Sequence, residues 1–323
     1  MPAAILTQGL TKVYGRRLGI EGLDLEVRPG EIFGFIGPNG AGKTTTIRLL
    51  LDLLHPTAGR AQVLGLDSHR QSVEVRRSVG YLPGEFGLDV RATGRQLVRN
   101  FAHLRGVADL GVADSLAERL GVDLDLPTGR LSRGNRQKVG LIQALFHKPA
   151  LAILDEPTTG LDPLVQDTFL QLVREARAEG RTIFLSSHVL SEVERVCDRV
   201  AIVRGGRLVA LETTESLLEK RRKRVTLVFA APVDAAEFAS LPGVSDVHAQ
   251  ADTVWLRLQD GVDAVIKAAA RHTLLDLSVE HPSLDEVFLG YYDGSGYPQL
   301  PLARPLPPVS PIPPGVPGPE ARR

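Results

Sequence analysis

The sequence predicts an α/β chain in two parts: a largely parallel sheet flanked by helices, then a smaller α+β unit. Three observations predict it. Apolar runs of strand length alternate with helical patterns through the first two thirds of the chain, the order that yields a parallel sheet with helices on its faces. A glycine-rich turn joins one of those strands to the helix after it. Beyond five consecutive basic residues, Lys220 to Arg224, short elements resume in a different order. The length, 323 residues, suits two domains at roughly 150 residues each.

Taken in order, residues 31–36 are apolar after Glu31, around one glycine, and read as a buried strand, and residues 44–54 follow as a helix. Between residues 90 and 121 the pattern is helical without strands, which predicts a helical insert. Residues 151–154, 182–186 and 200–203 are apolar strands, with a helix over 164–179 between the first two. Gly205 and Gly206 then read as a hairpin turn. In the second part the expected order is strand 225–229, helix 233–240, strands 244–248 and 253–258, helix 262–271 and strand 274–280. That βαββαβ succession is the ferredoxin-like pattern, and a short helix over 283–289 is expected to close it. Ten of the 22 prolines fall between Pro298 and Pro319. Proline lacks the backbone donor and has a fixed φ, so a disordered tail is expected there, with polyproline recognition as the sharper alternative.

Composition excludes several classes. Lysine plus arginine equals aspartate plus glutamate at 38 each, so no overall basic field draws nucleic acid to the chain. The single cysteine, Cys197, cannot close an internal disulfide, as befits a reducing compartment, and its apolar neighbours predict a packed, inert thiol. No run approaches the roughly 18 apolar residues of a membrane span, and the first residues lack a signal-peptide pattern. A cytoplasmic globular protein is the expectation. Trp255 is expected in the core of the second part, and His55, His69 and His147 show no metal-ligand spacing. The basic run 220–224 reads as a solvated linker, or as a contact for anionic lipid headgroups.

The chemistry begins at Gly37-Pro38-Asn39-Gly40-Ala41-Gly42-Lys43-Thr44, which matches G-x-x-x-x-G-K-[ST] between a strand and a helix. Glycines let successive N–H groups approach phosphate oxygens, and the following helix adds its positive end. Lys43 is expected to reach the β- and γ-phosphates, and the Thr44 hydroxyl to hold Mg²⁺. Downstream, an apolar strand ends in Asp155 and Glu156, placing both carboxylates at the carboxyl edge of the sheet. Asp155 is expected on the metal, through water, and Glu156 on the attacking water. Those two motifs describe a P-loop nucleotidase. Three further groups narrow it: residues 131–138, with Ser132 as a helix N-cap; the turn 157–163 after the acidic pair; and Ser187-His188 after the next strand.

Together these segments resemble the ATP-binding cassette of ABC transporters across residues 1–215. Residues Gly37 to Thr45 look like Walker A, 131–137 like the ABC signature, 151–156 like Walker B, Gly160-Leu161-Asp162 like the D-loop, and His188 like the switch histidine. Tyr14 falls where the family carries an aromatic that stacks on adenine. The resemblance implies a mixed sheet with a helical subdomain at about residues 90–148, and two cassettes paired head to tail. ATP would lie between Walker A of one copy and Ser132 and Gly134 of the other, with Asp162 beside it. A cassette followed by a small α+β domain at 222–290 and a tail at 291–323 resembles the ATPases of daunorubicin- and bacitracin-resistance exporters. In that subfamily a separate ABC-2 type membrane permease is the partner, docking near residues 84–105, and the ATPase is peripheral on the inner face of the membrane.

The chain departs from the family pattern at three places. Gly84, followed by Glu85, stands where the Q-loop glutamine usually is, Arg133 replaces a glycine and Asn135 a glutamine. The alternative reading is a soluble ABC-type ATPase acting on ribosomes or nucleic acid. Such proteins usually carry two cassettes or a long coiled-coil insertion, and the even charge balance also argues against one. A non-catalytic regulator is disfavoured because Lys43, Thr44, Asp155, Glu156 and His188 are all present.

Overall fold

Strand β1 (Ile5–Tyr14) turns through Gly15 into β2 (Arg17–Val27), pairing Tyr14 with Arg17 across a two-residue loop. The computed structural model describes residues 2–85, 87–219, 223–259 and 261–280. Next come β3 (Ile32–Ile36), α1 (Lys43–Leu50), β4 (Ala58–Val63), β5 (Leu66–Asp67), α2 (Ser72–Ser78) and β6 (Val79–Leu82). The expected helical insert is present as α3 (Gly94–Arg105), α4 (Gly111–Leu120) and α5 (Arg133–Leu145). The chain then runs through β7 (Leu151–Asp155), α6 (Pro163–Ala178), β8 (Thr182–Ser187), α7 (Leu190–Val196), β9 (Arg199–Arg204), β10 (Arg207–Thr213) and α8 (Thr214–Glu219).

Six of these strands form one sheet in the order β10-β9-β3-β8-β7-β6, parallel except for the β9–β10 hairpin. That hairpin turns on Gly205 and Gly206, both at positive φ (55° and 82°), the two-residue turn whose twist suits paired strands. Strands β3, β7 and β8 are buried along their whole lengths, as the unbroken apolar runs predicted. Phe33, Phe35 and Phe184 stack across β3 and β8 with ring centroids 5.9 and 5.3 Å apart. Each fully buried phenylalanine contributes about 1.5–3 kcal/mol relative to exposure.

Beside this sheet lies an antiparallel one, β2-β1-β4-β5, which the strand-by-strand reading had not anticipated. Its signal was the period-2 burial of Leu23, Leu25 and Val27, interrupted by bulges next to Gly9 and Gly22, whose φ of 57° breaks the alternation. Helix α1 also corrects an expected boundary, since it ends at Leu50 rather than residue 54. The Leu53 N–H reaches Arg48 O (2.8 Å) and Asp52 N–H reaches Leu49 O (3.2 Å), a Schellman closure with Asp52 at φ 55°.

After residue 222 the elements are β11 (Lys223–Phe229), α9 (Ala235–Ala239), β12 (Val244–Gln250), β13 (Thr253–Leu258), α10 (Asp263–Ala269) and β14 (Leu274–Glu280). The strands form a fully antiparallel sheet in the order β12-β13-β11-β14, and the expected βαββαβ succession is observed. Its core is Val225, Leu227, Phe229, Phe238, Val254, Leu256, Leu258 and Val265. Trp255 corrects its expectation: strand alternation puts it on the face opposite Val254 and Leu256, only partly buried beside Thr226 and His248. The expected helix at 283–289 and the proline-rich tail lie outside the described residues. Among the described residues no helix is long and apolar enough to cross a membrane.

Candidate active site

The carboxyl ends of β3, β7 and β8 converge on the amino end of α1. Between β3 and α1 the chain makes a tight loop in which Gly42 adopts φ 107°, and a Cβ there would stand 2.6 Å from Ile20 Cγ2. Only glycine meets both demands. No side chain caps α1, so its first-turn N–H groups are left for an anion. Lys43, only 6% exposed, donates from Nζ to Gly37 O at 2.6 Å and curls over the loop it belongs to.

Parallel pairing sets Asp155 beside Ser186. The Asp155 carboxylate is fully buried, accepting from Ser186 Oγ at 2.5 Å on one oxygen and from Thr44 Oγ1 at 2.8 Å on the other. Glu156 follows at φ 50°, a left-handed conformation rare for a side-chain-bearing residue, costing about 1–3 kcal/mol. The turn is held by Glu156 N–H to Ser186 O (3.0 Å) and by Gln137 Nε2 to Pro157 O (3.0 Å). Its strained backbone aims the carboxylate into the cleft, where Lys43 Nζ lies 3.1 Å from one oxygen and His188 Nδ1 2.6 Å from the other. Below it, Thr158 Oγ1 donates to the buried Glu192 carboxylate at 2.8 Å, and burial raises the pKa of Glu192 above the ordinary range. Burial, aided by the Asp155 charge, likewise pushes the nearby Tyr81 phenol up to about 12.

Tyr14 stands at the tip of the β1–β2 hairpin, 42% exposed, with the Lys12 ammonium 5.4 Å from its ring centroid. The ring lies against Gly19, where a Cβ would come within 2.8 Å of Tyr14 Cε2. An exposed ring with a flat backbone behind it can take a planar base on its free face.

These pieces enclose a cleft of about 700 Å³. Of the sequence-predicted residues it is lined by Tyr14, Pro38, Asn39, Gly40, Gly42, Lys43, Thr44, Thr45, Asp155, Glu156 and His188. Gly37 and Ala41 sit behind the loop: a Cβ on Gly37 would meet Val203 O at 2.4 Å, and Ala41 is buried. Ser132, Gly134 and Asp162 do not line the cleft of their own chain. Ser132 is the exposed N-cap of α5, accepting from Asn135 N–H at 3.2 Å. Gly134 packs on Gly160, and Asp162 caps α6 through Val165 N–H at 3.1 Å. Gly84 abuts the metal-side carboxylate, since a Cβ on it would lie 3.3 Å from Asp155 Oδ2, while Glu85 lines the cleft. Sequence reasoning missed Ser186, Gln137, Arg17 and Arg48. Ser186 stands opposite Asp155 one strand over, a pairing that no local pattern records.

The oxygen pair of Thr44 and Asp155, 2.8 Å apart beside an open helix terminus, suits a hard divalent cation that takes its remaining ligands from phosphate and water. The donor set therefore fits Mg²⁺. Cys197 is buried with its thiol pKa pushed well up by desolvation, as the inert reading expects. His55 and His69, which show no metal-ligand spacing in the sequence, converge on Asp52 Oδ1 at 3.1 and 2.8 Å from their Nδ1 atoms.

The ABC transporter family model matches residues 20–159. The bacitracin transport ATP-binding protein BcrA of Bacillus licheniformis is 37% identical over 226 residues, covering 69% of this chain and 74% of that protein. This chain belongs to the ABC transporter ATP-binding family. It is similar over more of its length, 88%, to the daunorubicin resistance ATP-binding protein DrrA3 of Streptomyces coeruleorubidus, at 34% identity and covering 95% of that protein. A solved ATP-binding subunit of an ABC transporter superposes with a TM-score of 0.62 at 30% identity, over 66% of this chain and 91% of the other. This ABC ATPase hydrolyses ATP in the service of transport, and its resemblance to resistance-type exporter ATPases holds.

Proposed function

We propose that the chain is the motor subunit of an exporter, driving a separate ABC-2 type permease from the cytoplasmic face of the membrane, with drugs, antibiotics or other lipophilic compounds as cargo. The Lys43–Glu156–His188 cluster at the mouth of an open phosphate loop supports the ATPase role, and the likeness to the bacitracin and daunorubicin resistance ATP-binding proteins supports the exporter role. Adenine stacks on Tyr14, the phosphates take the free N–H groups of the loop and the first turn of α1, and Thr44 and Asp155 would hold Mg²⁺, which would supply charge neutralisation to the phosphates. Lys43 then leaves Glu156 for the phosphates, freeing the carboxylate as a base. Glu156 accepts a proton from the attacking water as its oxygen bonds to the γ-phosphorus and the bond to ADP breaks. His188, fixed through Nδ1 by Glu156, presents its other ring nitrogen to the transferred phosphoryl group.

Ser132, Gly134 and Asp162 lie outside the cleft of their own chain, which supports a head-to-tail pair in which they complete the nucleotide site of a second copy. We assign the cassette to residues 1–215 and a ferredoxin-like accessory domain to 222–290, of which 223–259 and 261–280 are described. The βαββαβ order and the sheet order β12-β13-β11-β14 support the second assignment. The permease docks at residues 84–105, where Gly84 and Glu85 link the cleft to the helical insert. The test is purification of tagged protein from detergent-solubilised membranes of its host with mass spectrometry of what accompanies it. A polytopic membrane protein in stoichiometric amount is expected; ribosomal proteins or nucleic acid without one would overturn the exporter reading.

A further inference from the structure

Away from the nucleotide cleft, the end of α1 carries a second constellation. Asp52, in its left-handed Schellman position, turns its carboxylate to the surface with 13% of the side chain exposed. His55 follows three residues on and His69 arrives from the loop after β5, both more than half exposed. The two imidazoles meet edge to face with centroids 4.7 Å apart, and one ligand atom from each of the three residues lies within 4.8 Å of the others. A tetrahedral ion with bonds of about 2.0–2.1 Å holds neighbouring ligand atoms roughly 3.3 Å apart. The Nδ1–Oδ1 separations of 3.1 and 2.8 Å fall short of that by about half an ångström or less.

We propose that Asp52, His55 and His69 form a surface binding site for a divalent transition-metal ion of the zinc class, distinct from the Mg²⁺ site of the nucleotide cleft. Two imidazole nitrogens and one carboxylate oxygen are a borderline donor set that selects zinc over magnesium or calcium, which prefer all-oxygen shells. Three protein ligands leave the fourth position to water or a further ligand. Both imidazoles address the same carboxylate oxygen, so the three side chains already face one point at which a single divalent ion meets two nitrogens and the carboxylate.

The position gives the ion a mechanical role. It ties the carboxyl end of the helix that follows the phosphate loop to the loop after β5. The same segment supplies His55 O, which accepts from Lys12 Nζ at 2.7 Å, and that ammonium stands over Tyr14. Occupancy therefore stiffens the support of the adenine-facing aromatic without touching the phosphate machinery.

Isothermal titration of Zn²⁺ into the tag-free full-length chain, in excess Mg²⁺ to fill all-oxygen sites, tests this. One Zn²⁺ per chain is expected, with affinity falling at least about tenfold in His69→Ala and in His55→Ala, because a direct ligand counts for no less than an outer-shell partner. Without Zn²⁺, both variants should match the metal-free parent in nucleotide affinity, which also shows that they fold. Co²⁺ added to the unmodified protein gives an independent readout, the intense visible absorption of a four-coordinate cobalt ion. No Zn²⁺ bound by the parent, Zn²⁺ bound equally by the variants, or only the pale spectrum of six-coordinate cobalt would each overturn the site.

Discussion

Replacing Glu156 by glutamine isolates the chemical step. The amide keeps the length of the side chain and a hydrogen-bond partner for His188, now 2.6 Å from the carboxylate, but it cannot take the proton of water. General-base catalysis contributes about 10²–10⁴ in rate, so kcat is expected to fall by that factor, or about 3–6 kcal/mol at roughly 1.4 kcal/mol per tenfold. ATP affinity should be kept or improved. The loop, Lys43 and Thr44 are untouched, and the carboxylate 3.1 Å from Lys43 no longer competes with phosphate for that ammonium. Without nucleotide the variant should be less stable, because Lys43 is only 6% exposed and loses its counter-charge; ATP supplies the missing anion and restores it. Phosphate release at saturating MgATP, equilibrium binding of a fluorescent nucleotide and thermal unfolding with and without ATP read these effects separately. A kcat within tenfold of the parent, or affinity falling in step with kcat, refutes the assignment of Glu156 as base.

Three further outcomes follow from the same geometry. Ser186→Ala removes the short hydrogen bond that orients Asp155 and should raise the Mg²⁺ concentration giving half-maximal ATPase rate by about 10–100-fold, with ATP binding measured without Mg²⁺ unchanged. Gly80→Ala should lower stability by about 1–3 kcal/mol or more in denaturant titration, since its Cβ would fall 2.0 Å from Ala144 O, where β6 packs on α5; an unchanged midpoint would contradict that packing. His147 supplies a pH test. Burial, with help from the Arg105 charge, holds its folded pKa down at about 4, against 6.5 for the free side chain. Between those values the unfolded chain binds the extra proton, so stability falls as pH drops through this window, and above it the pH dependence owes nothing to His147. His147→Gln should flatten that part of the stability–pH curve.

The sequence alone determined what depends on local order. The strands at 31–36, 151–154 and 182–186 were legible because a strand buried on both faces is an unbroken apolar run. The phosphate loop was legible because glycine at Gly42 answers a backbone demand that no other residue meets. The βαββαβ order after residue 222 was equally plain, each short element being bounded by its own turn. Tertiary structure decided what depends on partners distant in the chain. The antiparallel sheet of β1, β2 and β4 was obscured because bulges at Gly9 and Gly22 shift the register of its alternation. Trp255 was misplaced because hydrophobicity names a buried residue, whereas pleat parity, fixed by cross-strand pairing, decides the face. Ser186 became Asp155's partner only through the parallel register of β7 and β8. His55 and His69, fourteen residues apart in sequence, meet only because α1 closes at Asp52 and the turn after β5 returns to it. Spacing records neighbours along the chain, and a site assembled from separate elements is written in the packing between them.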